Sequence, residues 1–248
     1  MYIDLTKPKD LPERFTSRLK SIRRLCEATE FSEVLVDKSE VVSLVCDIDR
    51  FCSMNQVIGV HYTRAIPESI RTYGLLVRNG KDIRRSFLRD YGHMFSSSEL
   101  DEIKKRWGSY FIGGQSDGRD GRIFFNFTED ELDRSGTEYL LGLYGGEQVS
   151  MCFELDEPIG QKLANIGKPL LVRCALQPSL VKTFIENPWG KILVSSYHLA
   201  VNPKACRIDQ DGYQTVPVNS ENIVEIRELT SFSKGRSRRR VFHKSVRR

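Results

Sequence analysis

A change in hydrophobic period near residue 55 constrains this chain more than any other feature. Before it, LPERFTSRLKSIRRLCEAT places Phe15, Leu19, Ile22 and Cys26 at three- and four-residue intervals, which gives a helix one apolar face. A second amphipathic stretch, VVSLVCDIDRFCSM, follows Lys38-Ser39-Glu40, with Ser39 as its expected N-cap. The two are expected to pack as a helical hairpin. After residue 55 the apolar residues arrive in short β-branched and aromatic runs. QVIGVHYT (56–63), RIFFNFT, VSMCFELD, PLLVRCALQP, KILVSSYHLAV and ENIVEIREL each read as a strand. Between them lie IPESIRTYGLL, with Pro67 suited to a first helical turn and Gly74 to a helix end, and SSSELDEIKKRW, a helix with Ser98 and Asp101 as its capping signal. EDELDRSGTEYLLGLYGGE reads as mostly helical up to Gly145-Gly146. Helices, a strand, helices and then a run of strands argue for an α+β fold with a mixed or mostly antiparallel sheet.

At 248 residues the chain is long enough to bury a core without covalent staples. Its six cysteines form no CxxC pair, so they read as reduced thiols and no metal site is expected. No apolar run reaches the length of a membrane helix, and the first residues lack the apolar core of a signal peptide. The expectation is a cytoplasmic protein with no membrane partner. The net charge of +5 is concentrated at one end: residues 232–248 carry eight Lys/Arg and no acid, which leaves 30 basic against 33 acidic residues, or −3, for the rest. The expected division is an N-terminal helical extension over 1–55, a catalytic domain over 56–231 and a disordered basic tail over 232–248. In the tail Arg236, Arg238, Arg239 and Arg240 are candidate nucleic-acid contacts, because dense cations bind phosphate.

Two motifs carry candidate chemistry. The first core strand ends in His61-Tyr62-Thr63-Arg64 and leads into ESIRTYGLL. Later, Tyr144-Gly145-Gly146-Glu147 precedes an apolar run, and two glycines allow a close turn that presents the acid. With these two motifs, residues 56–230 resemble the ADP-ribosyltransferase superfamily, in its histidine-containing, toxin- or defence-type branch. The resemblance implies a split β-sandwich and consumption of NAD as a substrate. It implies His61 on a ribose hydroxyl, Tyr62 and Thr63 beside it, Arg64 on the pyrophosphate, Tyr144 against the nicotinamide, and Glu147 as the catalytic acid. A carboxylate suits that role, because breaking the nicotinamide–ribose bond develops oxocarbenium character.

The resemblance further implies a macromolecular acceptor, protein, DNA or RNA, and an antitoxin or inhibitor protein as a partner. Glu225 and Glu228, in Asn222-Ile-Val-Glu-Ile-Arg-Glu, are competing acids, since other branches place theirs late in the chain. The chain departs from the arginine-specific toxin branch in having no Ser-Thr-Ser strand and no late Glu-x-Glu. Three alternatives remain open: NAD hydrolysis, RNA 2′-phosphotransfer using Arg122, Arg173 and His198, and nucleic-acid binding by the basic arm without catalysis.

Overall fold

A computed structural model describes residues 2–112, 119–129, 135–208 and 211–229. It shows a mixed α+β protein built on one seven-stranded sheet. In chain order the strands are β1 (Tyr2–Ile3), β2 (Gln56–Ala65), β3 (Ile123–Asn126), β4 (Lys168–Leu176), β5 (Lys182–Thr183), β6 (Asp211–Gln214) and β7 (Ile223–Glu228). They lie in the order β5-β6-β3-β2-β4-β7, every neighbouring pair antiparallel, and β1 joins the start of β2 in parallel. The four strands expected at β2, β3, β4 and β7 are present. The others are two to four residues long, too short to show a period.

The first 55 residues form α1 (Glu13–Ser21), α2 (Arg23–Ala28), α3 (Ser32–Val36) and α4 (Ser39–Ser53). The expected apolar face is real: Phe15, Leu19, Ile22 and Cys26 are all buried. Lys38 rather than Ser39 occupies the cap of α4, and the Ser39 hydroxyl donates to Glu40 instead. Residues 1–55 were expected as an extension, and the structure corrects this. Their buried residues share one core with Val57 of β2, Val172 and Cys174 of β4, and a long later helix. They are the layer that covers one face of the sheet.

That later helix is α11 (Pro188–Val201), which contains the segment KILVSSYHLAV expected as a strand. It is buried on nearly every side, through Trp189, Ile192, Leu193, Val194, Ser195, Ser196 and His198. A helix without a polar face has no helical period to read, and its apolar run imitates a buried strand. Its polar groups are satisfied internally. The Ser195 hydroxyl accepts from the Ile208 amide (2.8 Å), and His198 Nε2 donates to the Thr29 carbonyl (2.9 Å) while Nδ1 accepts from Ser32 (2.8 Å). Asp49 of α4 caps the start of α11 by accepting from the amides of Trp189 and Gly190.

The remaining helices are α5 (Pro67–Tyr73), α6 (Gly80–Tyr91), α7 (Ser97–Tyr110), α8 (Ser135–Gly142), α9 (Gly146–Ser150) and α10 (Pro158–Ala164). Gly74 ends α5 at φ 68°, where a Cβ would meet the Val218 carbonyl oxygen at 1.9 Å. α7 opens with a capping box made by Ser96 and Glu99, two residues before the expected pair. VSMCFELD is not a strand: it begins inside α9 and continues as turns. Its Val149 and Phe153 join Phe87, Trp107 and Leu163 in a second core formed by α6, α7, α9 and α10. α8 packs through Leu141 on Val60 and Tyr62 of β2 and Leu171 of β4, the face opposite the N-terminal layer. No described helix is long and apolar enough to cross a membrane. The basic tail, with Arg236, Arg238, Arg239 and Arg240, lies outside the described residues.

Candidate functional site

Side chains alternate along a strand, so β2 deals its residues to two different environments. Val57, Gly59, His61 and Thr63 stand opposite Leu176, Cys174, Val172 and Leu170 of β4, which belong to the main core. Ile58, Val60, Tyr62 and Arg64 face the other side, where Val60 and Tyr62 meet α8. His61 and Arg64 are therefore on opposite faces of the sheet, although three residues apart in sequence.

His61 is half-buried beside the Phe125 ring, with centroids 6.0 Å apart. β2 and β3 are in register at one pair, Val60 opposite Asn126. Next to that pair the imidazole bridges the strands, Nδ1 donating to the Phe124 carbonyl at 2.9 Å. A carbonyl only accepts, so Nδ1 carries the proton and Nε2 is left as an acceptor. No hydrogen bond joins Nε2 to another described residue. Burial pushes the imidazole below its ordinary range, and the bond to Phe124 opposes this in part. The ring is thus a neutral, fixed acceptor in the middle of a central strand rather than at its end.

Glu147 lies in the first turn of α9, entered through Gly145 at φ 88° and Gly146 at φ 58°. Both backbone conformations favour glycine, as the sequence suggests. The glycines present the acid at the start of a short helix. The Glu147 carboxylate is held by Arg119, Nε to Oε2 at 2.8 Å, and stays partly exposed. The next residue, Gln148, is buried and anchors the turn from two sides. Its amide nitrogen donates to Asp120 (2.9 Å) and its oxygen accepts from Arg84 (2.8 Å). Asp120 also accepts from the Gly80 amide at 2.9 Å.

Arg119, Asp120 and Phe124 belong to one stretch of chain leading into β3. That stretch grips Glu147 and Gln148 at one end and His61 at the other. The Cα atoms of Arg119 and Phe124, five residues apart, lie at most about 18 Å from each other. No hydrogen bond or ion pair joins His61 to Glu147 among the described residues. Sequence reasoning missed Arg119, Asp120 and Gln148. The Asp-Gly turn before RIFFNFT was the one available signal.

The other expected contributors are engaged elsewhere. Arg64 donates to the carbonyls of Ile166 (3.0 Å), Leu141 (3.2 Å) and Ala164, which ties the last turns of α8 and α10 to β2. Tyr62 is 3% exposed and packs on Leu141 and Leu171, so its ring is not open to a ligand. Thr63 keeps the His61 face and is partly exposed. Tyr144 sits edge-on to Tyr91 at 4.9 Å within the second core. Burial, with its hydroxyl donating toward Tyr91, pushes its pKa far up.

Glu225 points to the face opposite His61, level with Arg173 of β4. There it lines an open cleft of about 1060 Å³ with Asp4, Glu129, Arg173 and Arg227. Arg173 binds Asp4 (2.5 Å) and Glu129 (2.6 Å) and approaches Glu225 (3.6 Å), and Arg227 binds Glu129 as well. Glu228 pairs with Lys168 at 3.3 Å. The phosphotransfer trio is dispersed: Arg173 is in this network, Arg122 lies over the Tyr213 ring at 4.6 Å, and His198 is enclosed in α11. No group of three or more His, Cys, Asp or Glu that would suit a metal ion occurs among the described residues.

No protein-family model, no curated protein and no solved structure matches the chain.

Proposed function

We propose that the chain is an NAD-consuming ADP-ribosyltransferase of toxin or defence type, acting on a macromolecular acceptor. The observation that carries the reading is that His61 and Glu147 are both fixed by the same short segment, Arg119 through Phe124. Nε2 of His61 and the second carboxylate oxygen of Glu147 have no hydrogen-bond partner among the described residues.

In this reading Nε2 of His61 accepts a hydrogen bond from a ribose hydroxyl, with Thr63 beside it on the same face. Glu147 stabilises the positive charge that grows on the ribose as its bond to nicotinamide breaks. Nicotinamide leaves with the bonding pair. The acceptor nucleophile forms the new bond to the same carbon, and its proton passes to the carboxylate or to solvent. Arg64, Tyr62 and Tyr144 take no part. Arg119 is the cation paired with the acid.

The test is incubation with labelled NAD and separate pools of protein, DNA and RNA, for wild type, Glu147→Gln and Glu225→Gln. Label transfer by wild type and Glu225→Gln but not by Glu147→Gln is the expected result. Wild type that neither transfers label nor releases nicotinamide refutes the enzyme reading. Activity lost in Glu225→Gln and kept in Glu147→Gln moves the acid to the opposite face of the sheet.

A further inference from the structure

α1 and α4 pack antiparallel: Arg18 meets Asp47 and Ser43, while the earlier Arg14 meets the later Phe51. A shallow groove of about 310 Å³ runs between them, lined by Arg14, Arg18, Asp47, Arg50, Phe51 and Met54. Three arginines converge there on one carboxylate. Arg18 donates to Asp47 at 2.7 Å, and Arg50 reaches its other oxygen at 3.3 Å. The Arg18 hydrogen bond, aided by the fields of Arg50 and Arg14, holds the Asp47 carboxyl below its ordinary range. Arg14 is stacked on aromatic rings, 4.7 Å from the Phe15 centroid and 5.7 Å from that of Phe51. Among the described residues no carboxylate forms an ion pair with it. The groove carries a net charge of about +2, by the count of three guanidiniums against one carboxylate. The chain outside its last 17 residues is net −3, so this patch does not reflect the overall composition.

A guanidinium stacked on a ring keeps its planar fork turned outward, the arrangement that suits phosphate oxygens. We infer that this groove binds the phosphodiester backbone of single-stranded nucleic acid. Two features favour a nucleic acid strand over other phosphates. Met54, 71% exposed, and the Phe51 ring border the arginines and offer apolar contact to a sugar or base. The outer face of α1 presents Arg14, Ser17, Arg18 and Ser21, with no apolar side chain to enter a lipid surface. This site is distinct from the His61–Glu147 region, and its test requires no NAD.

The experiment is fluorescence anisotropy of the full-length chain with a short labelled single strand, in DNA and RNA arms, across a salt titration. Vesicles containing an anionic lipid form a third arm. Arg14→Gln/Arg50→Gln is compared with wild type and with Arg71→Gln/Arg89→Gln, which removes two charges that lie on Glu68 and Asp90 elsewhere. The basic segment 232–248 is present in every variant, so differences in slope report the groove. Losing two phosphate contacts lowers the slope of log affinity against log salt by about 1.4 and the affinity on the order of tenfold. The control pair is expected to keep the wild-type slope, and Arg14→Lys/Arg50→Lys to keep most of it. Arg50→Gln alone changes a largely exposed side chain, so a partial loss in that variant cannot come from misfolding. A wild-type slope and affinity in Arg14→Gln/Arg50→Gln overturns the inference. So does a wild type that binds neither strand, or one that prefers vesicles to both.

Discussion

Arg64→Met separates two roles for one residue. As a pyrophosphate ligand, Arg64 would matter to NAD affinity and little to the fold. In the structure its guanidinium donates to the Leu141, Ala164 and Ile166 carbonyls, at the ends of α8 and α10. Methionine keeps most of the aliphatic stem and removes every donor. A buried carbonyl left without its donor costs about 1–3 kcal/mol, and three acceptors set a gross loss of several kcal/mol. Two effects reduce it. Burial disfavours the charged guanidinium, whose pKa is pushed down, so removing it relieves a desolvation penalty. The site is also half-exposed, and water can reach some of the freed carbonyls. A net destabilisation of roughly 2–4 kcal/mol remains, against a total stability of about 5–15 kcal/mol for a folded domain. For a chain of this length that lowers the melting temperature by roughly 5–15 °C. The assay is calorimetry together with urea unfolding, and Arg64→Lys is expected to recover little, because an ammonium cannot span three carbonyls. A melting temperature within a degree of wild type, with a raised KM for NAD, would refute the structural role.

Gly190→Ala tests the crossing of α11 over α4: the added Cβ would lie 2.1 Å from the Val45 carbonyl oxygen. Overpacking of about 1–3 kcal/mol outweighs a helix-propensity gain of at most about 1 kcal/mol, so the urea midpoint is expected to fall with the m-value unchanged. Burial opposes ionisation of Asp4, yet hydrogen bonds from Thr6 and Arg173 outweigh it and hold the carboxyl low. Its stabilisation is therefore complete above the unfolded aspartate value near about 3.9 and is lost as pH falls through the lower folded value. The stability difference between wild type and Asp4→Asn, measured by urea unfolding, should be constant from about pH 5 to 7 and shrink in acid, and a difference that grows in acid is the wrong sign. His61 should appear in long-range ¹H–¹⁵N spectra as the Nδ1–H tautomer, with a midpoint below the free imidazole value of about 6.5. Because the folded value is depressed, the stability it contributes is full above that pH and lost as pH falls, and a midpoint above it would contradict the burial argument.

What the sequence revealed and what it hid follow from how each signal arises. β2 and β4 were legible because short β-branched runs bounded by turn residues leave few alternatives, and α1 and α4 because one wet face exposes the helical period. α11 lacked that wet face. Ser195 and His198 are buried and satisfied by partners outside the helix, so Pro188 at its first turn was the only local mark of a helix. The grouping of Arg64 with His61 failed for a different reason. It treated nearness along the chain as nearness in space, whereas the alternation of a strand already places residues 61 and 64 on opposite faces.

Within the proposed reading the same rule argues against Glu225 as the acid. Glu225 shares its face with Arg173, and Arg173 stands opposite Val60, the neighbour of His61 on the other side of the sheet. A ribose held by His61 would have the sheet between it and Glu225. Glu147 is not on a strand, so alternation does not exclude it, and the chain that grips it continues into the strand that grips His61. The pairing of His61 with Glu147 is part of the proposed reading, and it rests on the chain that runs from Arg119 to Phe124.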